Sequence, residues 1–112
     1  MTPPPIDRIQ GTLDMLILRT LLPGPMHGWA ISHHIRDTSR DVLQVNQGAL
    51  YPALRRLEDR GWVSARWGVS DTNRRARFYT LTAAGRRQLA RETEGWLEFI
   101  RAVHRVMQLT PA

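Results

Sequence analysis

The sequence predicts a mainly α-helical fold with a small β-hairpin wing and a long C-terminal helix, in the order helix, helix, helix, hairpin, helix. Three observations predict it. Apolar residues recur at helical spacing in three segments before Gly61. The period then changes to β-branched and aromatic runs on either side of a polar, turn-rich loop. A final helical stripe occupies the last quarter of the chain.

Residues 1–10, with Pro3, Pro4 and Pro5, read as a flexible N-terminal arm. From Gly11, Leu13, Leu16, Ile17 and Leu21 share one stripe, widened by Met15, Leu18 and Leu22, and Pro23-Gly24-Pro25 ends the helix. A second helix is expected over 28–38, with Ala30, Ile31, His34 and Ile35 on one side, then a connector over 39–46. A third runs from about Gln47 to Arg60 and stops at Gly61. Pro52 removes one of its hydrogen bonds, which predicts a late start or a slight bend. Segments 62–67 and 77–81 read as strands joined through a tip at 68–74, and Thr82 to Gly85 opens the last helix. Three short helices and a two-stranded wing make a winged helix-turn-helix over 11–82, with a C-terminal dimerisation helix over 83–108.

Composition bounds the function. A chain of 112 residues is sized for one domain, and so small a core gains from a dimer interface. The absence of cysteine excludes disulfides, thiolate metal sites and cysteine nucleophiles. The N-terminus lacks the basic and apolar regions of a signal peptide, and no apolar run approaches the ~18 residues of a membrane span. A soluble, cytoplasmic chain with no membrane partner is expected. The formal net charge is +6 and all 16 basic residues are arginine. Residues 55–91 hold ten of them against only Glu58, Asp59 and Asp71, while the rest of the chain sets six against seven acids. A basic excess confined to one third of the molecule suits a polyanionic partner, and arginine's planar fork suits phosphate and guanine.

On a helical wheel of the third helix, Leu50, Leu54 and Leu57 occupy one sector flanked by Ala53, and Gly48, Tyr51, Pro52, Arg55 and Asp59 project to the other side. Gly48 permits close approach, Tyr51 can bond a phosphate or stack on sugar, and Arg55 and Arg56 can reach phosphate or a guanine edge. Tyr51 and Arg55 are expected to be free of core duties. An ordinary surface helix could carry the same residues, so the wing matters. Arg74, Arg75 and Arg77 cluster at the exit of its tip, with Arg75 and Arg77 on one strand face, suited to a minor groove or to clamping phosphates. Double-stranded DNA is the expected partner.

These motifs resemble the PadR family. The resemblance rests on Gly11-Thr12-Leu13-Asp14-Met15-Leu16-Ile17-Leu18 followed by Gly24-Pro25-Met26-His27-Gly28-Trp29-Ala30-Ile31. It continues through Gly48-Ala49-Leu50-Tyr51-Pro52-Ala53-Leu54 with Leu57-Glu58 and Gly61-Trp62, then Asn73 to Thr82 and Gly85. It covers roughly 8–107 and looks like the short form, with one C-terminal helix. It implies a dimeric, sequence-specific DNA-binding transcriptional regulator, usually a repressor, often responding to small hydrophobic or phenolic compounds. Arginine is denser here than the mixed Lys and Arg typical of the family.

On the last helix, Leu89, Trp96, Phe99, Ile100, Val103 and Met107 recur at spacings of three, four and seven. The stripe is too long for a three-helix head to cover, so a homodimer interface is expected beside packing on the first helix. Two heads about one helical turn, ~34 Å, apart would select a near-palindromic operator. Trp96 either lines an apolar space between subunits where a flat aromatic effector stacks, or simply packs. No catalytic motif, metal set or cofactor loop is present: His33 and His34 are adjacent on a helix and point apart, and His27 is expected to close a helix start or to pack. The chain is therefore not expected to be an enzyme. The competing reading is a winged-helix module used for protein contact without DNA.

Overall fold

A computed structural model describes residues 5–109. Its elements are α1 (Pro5–Thr20), β1 (Met26–His27), α2 (Gly28–Thr38), α3 (Gln47–Asp59), β2 (Val63–Val69), β3 (Arg75–Leu81) and α4 (Ala83–Met107). This is a winged helix with a long C-terminal helix. The expected arm falls partly outside the described residues, at 1–4, and partly inside α1, which begins at Pro5 rather than Gly11. A proline is tolerated at the first helical position because that N–H has no helical acceptor anyway.

The core is a seam between α1, α2 and α3, closed by the base of the wing and the start of α4. Ile17, Leu18 and Leu21 of α1 meet Ile31 and Ile35 of α2 and Leu50, Ala53, Leu54 and Leu57 of α3, all buried. Fully burying one such leucine contributes about 1.5–3 kcal/mol. On α2 the inner face is Gly28, Ile31 and Ile35. His34, expected beside them, is exposed and bonds instead to Thr38 one turn on. The two histidines do diverge, and His27 caps α2, its Nδ1 accepting from the Ala30 N–H at 3.2 Å.

α3 begins where the sequence first allows it. Asn46 is its cap, the side-chain oxygen accepting from the Ala49 N–H at 2.9 Å, so Pro52 does not delay the start. The helix runs through Pro52 to Asp59.

The wing has three strands, not two. β1 pairs antiparallel with β3 through Met26↔Tyr79 and His27↔Phe78, giving the order β1-β3-β2. A two-residue strand has too little period to be read from sequence, and Pro25-Met26-His27 looks like turn. Among the described residues, no helix is long and apolar enough to cross a membrane.

The join between head and α4 is tightly bonded. The Thr82 N–H donates to the Trp62 carbonyl at 3.1 Å, the Thr82 hydroxyl donates to the Gly61 carbonyl at 2.7 Å and itself accepts from the Gly85 N–H at 2.9 Å. Gly85 must be glycine: a Cβ there would overlap the Trp62 carbonyl oxygen and press on the Leu81 side chain. Overpacking at a backbone contact typically costs 1–3 kcal/mol or more. Gly85→Ala should therefore lower the urea unfolding midpoint by at least that equivalent, although alanine is the better helix former by roughly 1 kcal/mol. An unchanged or raised midpoint would show that the join can relax.

Candidate nucleic-acid interface

α3 sorts its side chains as its wheel requires. Leu50, Ala53, Leu54 and Leu57 are sealed in the core, while Gly48, Tyr51 and Arg55 face solvent. Among the described residues Arg55 makes no ion pair. Tyr51 differs from expectation in one respect. It is 46% exposed, but its ring lies over Gly28 at the start of α2, so close that a Cβ at Gly28 would sit 2.9 Å from the Tyr51 hydroxyl oxygen. It thus spaces α2 from α3, its hydroxyl end against Gly28, while the residue as a whole stays partly exposed.

The wing is organised by its register. Val63↔Leu81, Ala65↔Tyr79, Trp67↔Arg77 and Val69↔Arg75 are directly paired. Side chains alternate along a strand, so these eight share one face. At the base that face is core: Val63, Tyr79 and Leu81 are buried. Towards the tip the same face becomes basic and aromatic. The Arg75 guanidinium stands over the Trp67 ring, 4.8 Å from its centroid. Such a contact contributes roughly 0.5–1 kcal/mol at an exposed site. Arg77 donates through Nη2 to Glu58 Oε2 at 2.8 Å, linking the wing to α3. The tip closes when the Ser70 N–H donates to the Arg74 carbonyl at 2.8 Å, with Asn73 in the left-handed region at φ 60°. Asparagine tolerates that conformation better than most side chains.

Four of the seven predicted DNA-contact residues, Tyr51, Arg74, Arg75 and Arg77, converge on one open cleft of about 800 Å³ between the wing and the start of α2. Gly48 and Arg55 lie on the outer face of α3 beyond its edge. Arg56 does not belong with them. It turns inward and donates through Nη2 to Asp14 Oδ1 of α1 at 2.8 Å, where the Asp14 carboxyl is nearly buried. Arg56 sits at the edge of the outward sector, one residue from Arg55, and a buried carboxylate on the neighbouring helix claims it. Two aromatic residues of the cleft were missed. Trp29 is exposed and stacks on His33, ring centroids 3.5 Å apart, and Trp67 is exposed on the wing. The alternation that pairs Arg75 with Arg77 also carries Trp67, and it could have been found there.

Comparison with known proteins now decides the family. The sequence profile of the transcriptional regulator PadR-like family matches residues 17–91, from the first core helix to the first turns of α4. The chain belongs to this family. An uncharacterized protein of Lysinibacillus sphaericus is 33% identical over 93 residues, 82% of this chain and 84% of its own length. The negative transcriptional regulator PadR of Bacillus subtilis is 27% identical over 77 residues, 69% of this chain but only 42% of that protein. Among solved structures, a transcriptional regulator of Clostridium thermocellum superposes with a TM-score of 0.80 at 28% identity, covering 88% of this chain and 96% of that one. A PadR family regulator of Clostridium difficile gives 0.70 at 26%, covering 86% and 97%.

In this PadR-like regulator the predicted dimer stripe also divides. Leu89 is buried in the head's own core. At 8% exposure it has little surface left to offer a partner. Trp96, Phe99 and Ile100 are half-buried, with the Trp96 and Phe99 rings 5.8 Å apart. Val103 and Met107 are exposed.

The Asp14–Arg56 pair has a pH consequence. Burial pushes the Asp14 carboxyl above its usual value, outweighing the hydrogen bond and charge of Arg56 and the charge of Arg60, and Glu92 adds to the rise. Because the folded value exceeds the unfolded 3.8, the folded state binds more protons in the window between them, and stability falls there as pH rises. The stability difference between parent and Asp14→Asn should therefore move against the parent as pH climbs from 3.8 through the raised folded value, then level off. A difference that grows in the parent's favour over that window would mean that Arg56 outweighs burial.

Proposed function

We propose that this PadR-like transcriptional regulator is a sequence-specific DNA-binding repressor that acts as a homodimer on a near-palindromic operator. The single observation that carries this reading is the continuity of the basic surface: the outward residues of α3 and the arginines of the wing are neighbours, joined at the Arg77–Glu58 contact. Gly48, Tyr51 and Arg55 would enter a major groove, and Arg74, Arg75 and Arg77 would hold the flanking backbone or minor groove. The repressor role is supported by similarity to the B. subtilis negative regulator.

Dimerisation is supported by the fate of the α4 stripe. Its first member, Leu89, is buried in the head's core, whereas its last members are exposed. Val103, Val106 and Met107 are left 37%, 83% and 62% exposed on the last turns. A two-fold partner would bury them against their own counterparts. Trp96 and Phe99, at the boundary between covered and open stripe, would then face the space between subunits, where a small hydrophobic or aromatic effector would stack.

Two measurements test the reading. Arg55→Ala and Tyr51→Phe should leave the melting temperature within the shift of a surface substitution, about 0.5 kcal/mol. They should weaken operator binding, by about 1–3 kcal/mol if Arg55 forks onto a guanine. Arg75→Ala should weaken operator and random duplex alike and reduce the salt slope by about one unit. Parent-like operator binding by both α3 variants would remove α3 as the reading helix.

For assembly, the parent should sediment as a dimer at micromolar concentration and the double variant Val103→Asp, Met107→Asp as a folded monomer. A parent that stays monomeric with and without DNA would contradict the dimer.

A further inference from the structure

Two aromatic residues stand in the basic cleft without a role in duplex recognition. Trp29, on the first turn of α2, and Trp67, on β2, both line it, and both are largely in water, at 56% and 59% exposure. Burying an indole is among the larger gains a side chain can make, and here two of them forgo it in one concavity. Neither is loose. His33 stacks on Trp29 with ring centroids 3.5 Å apart and bonds through Nδ1 to its carbonyl at 2.9 Å. The Arg75 guanidinium lies over Trp67, 4.8 Å from the ring centroid. Each indole thus has one face occupied by a neighbour, and the rest of the ring carries its exposure. The opposite face of the wing is different: there the Phe78 ring covers Gly68, so closely that a Cβ at 68 would sit 2.9 Å from it. That face packs its aromatic residue, and the Trp67 face leaves its own open.

A duplex has little use for an open indole face. Its bases are stacked on one another, so it presents base edges, sugars and phosphates. A single strand presents base faces as well. Proteins that hold single strands combine a basic groove that follows the backbone with aromatic rings on which successive bases stack. Both parts are present here. Arg74, Arg75 and Arg77 line the cleft against a single acid, Asp71. Among the described residues Arg74 and Arg75 make no ion pair, whereas Arg77 is engaged by Glu58 at 2.8 Å. A guanidinium stacked on a ring keeps its N–H edge free for a phosphate. Trp67 and Arg75 together therefore offer one place for a base and one for the phosphate beside it.

We propose that this cleft binds a short single-stranded nucleic acid, two of its bases stacked on Trp29 and Trp67 and its backbone held by Arg74 and Arg75. This activity lies beyond operator recognition and does not depend on it. On the duplex-binding reading the wing arginines serve both surfaces, so a strand and an operator compete. Gly48 and Arg55, beyond the edge of the cleft, take no part in holding the strand.

The test is fluorescence anisotropy of labelled octamers, oligo(dT) and oligo(U), titrated with the full chain at low salt, paired with two-dimensional NMR of the indole N–H groups. The expected result is saturable binding of at least one octamer, the tighter one identifying the preferred sugar. The Trp29 and Trp67 signals should shift and the Trp96 signal should stay unmoved. Affinity should fall with salt with a log–log slope of about −1.4, from two phosphates at ~0.7 each on a single strand. An octamer of abasic deoxyribose phosphates carries the charge without the bases, and dTMP or UMP cannot span both indoles. Each should bind at least about tenfold more weakly, the range of one lost stacked base. Trp29→Ala and Trp67→Ala, both at exposed positions, should each weaken the octamer by about tenfold for the same reason, and Arg55→Ala should leave it unchanged. Failure of both octamers to bind, equal binding of the abasic strand or of a mononucleotide, or parent-like binding by both tryptophan variants would each overturn the proposal. If an octamer binds as described and no duplex is bound at any salt, the site stands and the duplex reading fails. If the operator is bound and neither octamer is, the duplex reading stands and the site fails.

Discussion

A single ion pair sets how α3 is held. Arg56 of α3 reaches across to Asp14 of α1, 2.8 Å between charged atoms, with the carboxylate almost removed from water. The leucines of α3 supply far more burial, but apolar contact is non-directional and would tolerate a helix rolled some degrees about its axis. A charge-assisted bond to one buried oxygen does not. It fixes the rotation of α3 relative to α1, and the rotation decides whether Tyr51 and Arg55 point at solvent or at the wing. Desolvation largely cancels the energy of such a pair, and the raised Asp14 ionisation is the sign of that cost. Its value lies in orientation rather than in net stability.

The same pair places the two halves of the molecule in one frame. α1 packs on α3 on one side and on α4 on the other, and Glu92 of α4 is near enough to Asp14 to influence its ionisation. At the other end of the head, Thr82 bonds the first turn of α4 to the Gly61 and Trp62 carbonyls, where only a glycine at 85 allows the approach. α4 is therefore held at two places to the body that carries α3. A helix of 25 residues is about 37 Å long at 1.5 Å per residue, long enough to carry its exposed end well clear of the head. Whatever α4 docks against then has its geometry passed rigidly to α3 and the wing.

Much of this was legible in the sequence because two periods carry it. The 3.6 period placed α1, α2, α3 and α4, and the 2.0 period placed Arg75 and Arg77 on one face. The misreadings share a cause: they depend on neighbours distant in sequence. Arg56, at the edge of the sector that holds Arg55, reads as a groove contact, but Asp14, 42 residues away, claims it. Leu89 belongs to the same stripe as Trp96, and only the packing of α4 on α1 shows that the stripe changes environment along its length. Tyr51 looked free because its contact, Gly28, leaves no mark in an apolar pattern. The strand β1 is two residues long, below any usable period, and its pairing with β3 bridges some fifty positions. Trp29 and Trp67 were visible as residues, but the cleft they share forms only when the wing folds back towards α2.

The central claim is that one continuous surface, α3 with the wing, meets DNA. The most direct measurement is amide chemical-shift mapping of the full chain titrated with duplex DNA at low salt. The account predicts that the largest shifts fall in residues 47–55 and 70–77 and at the start of α2, with the outer turns of α4 unaffected. Shifts concentrated on α4, or spread evenly with the wing silent, would contradict it.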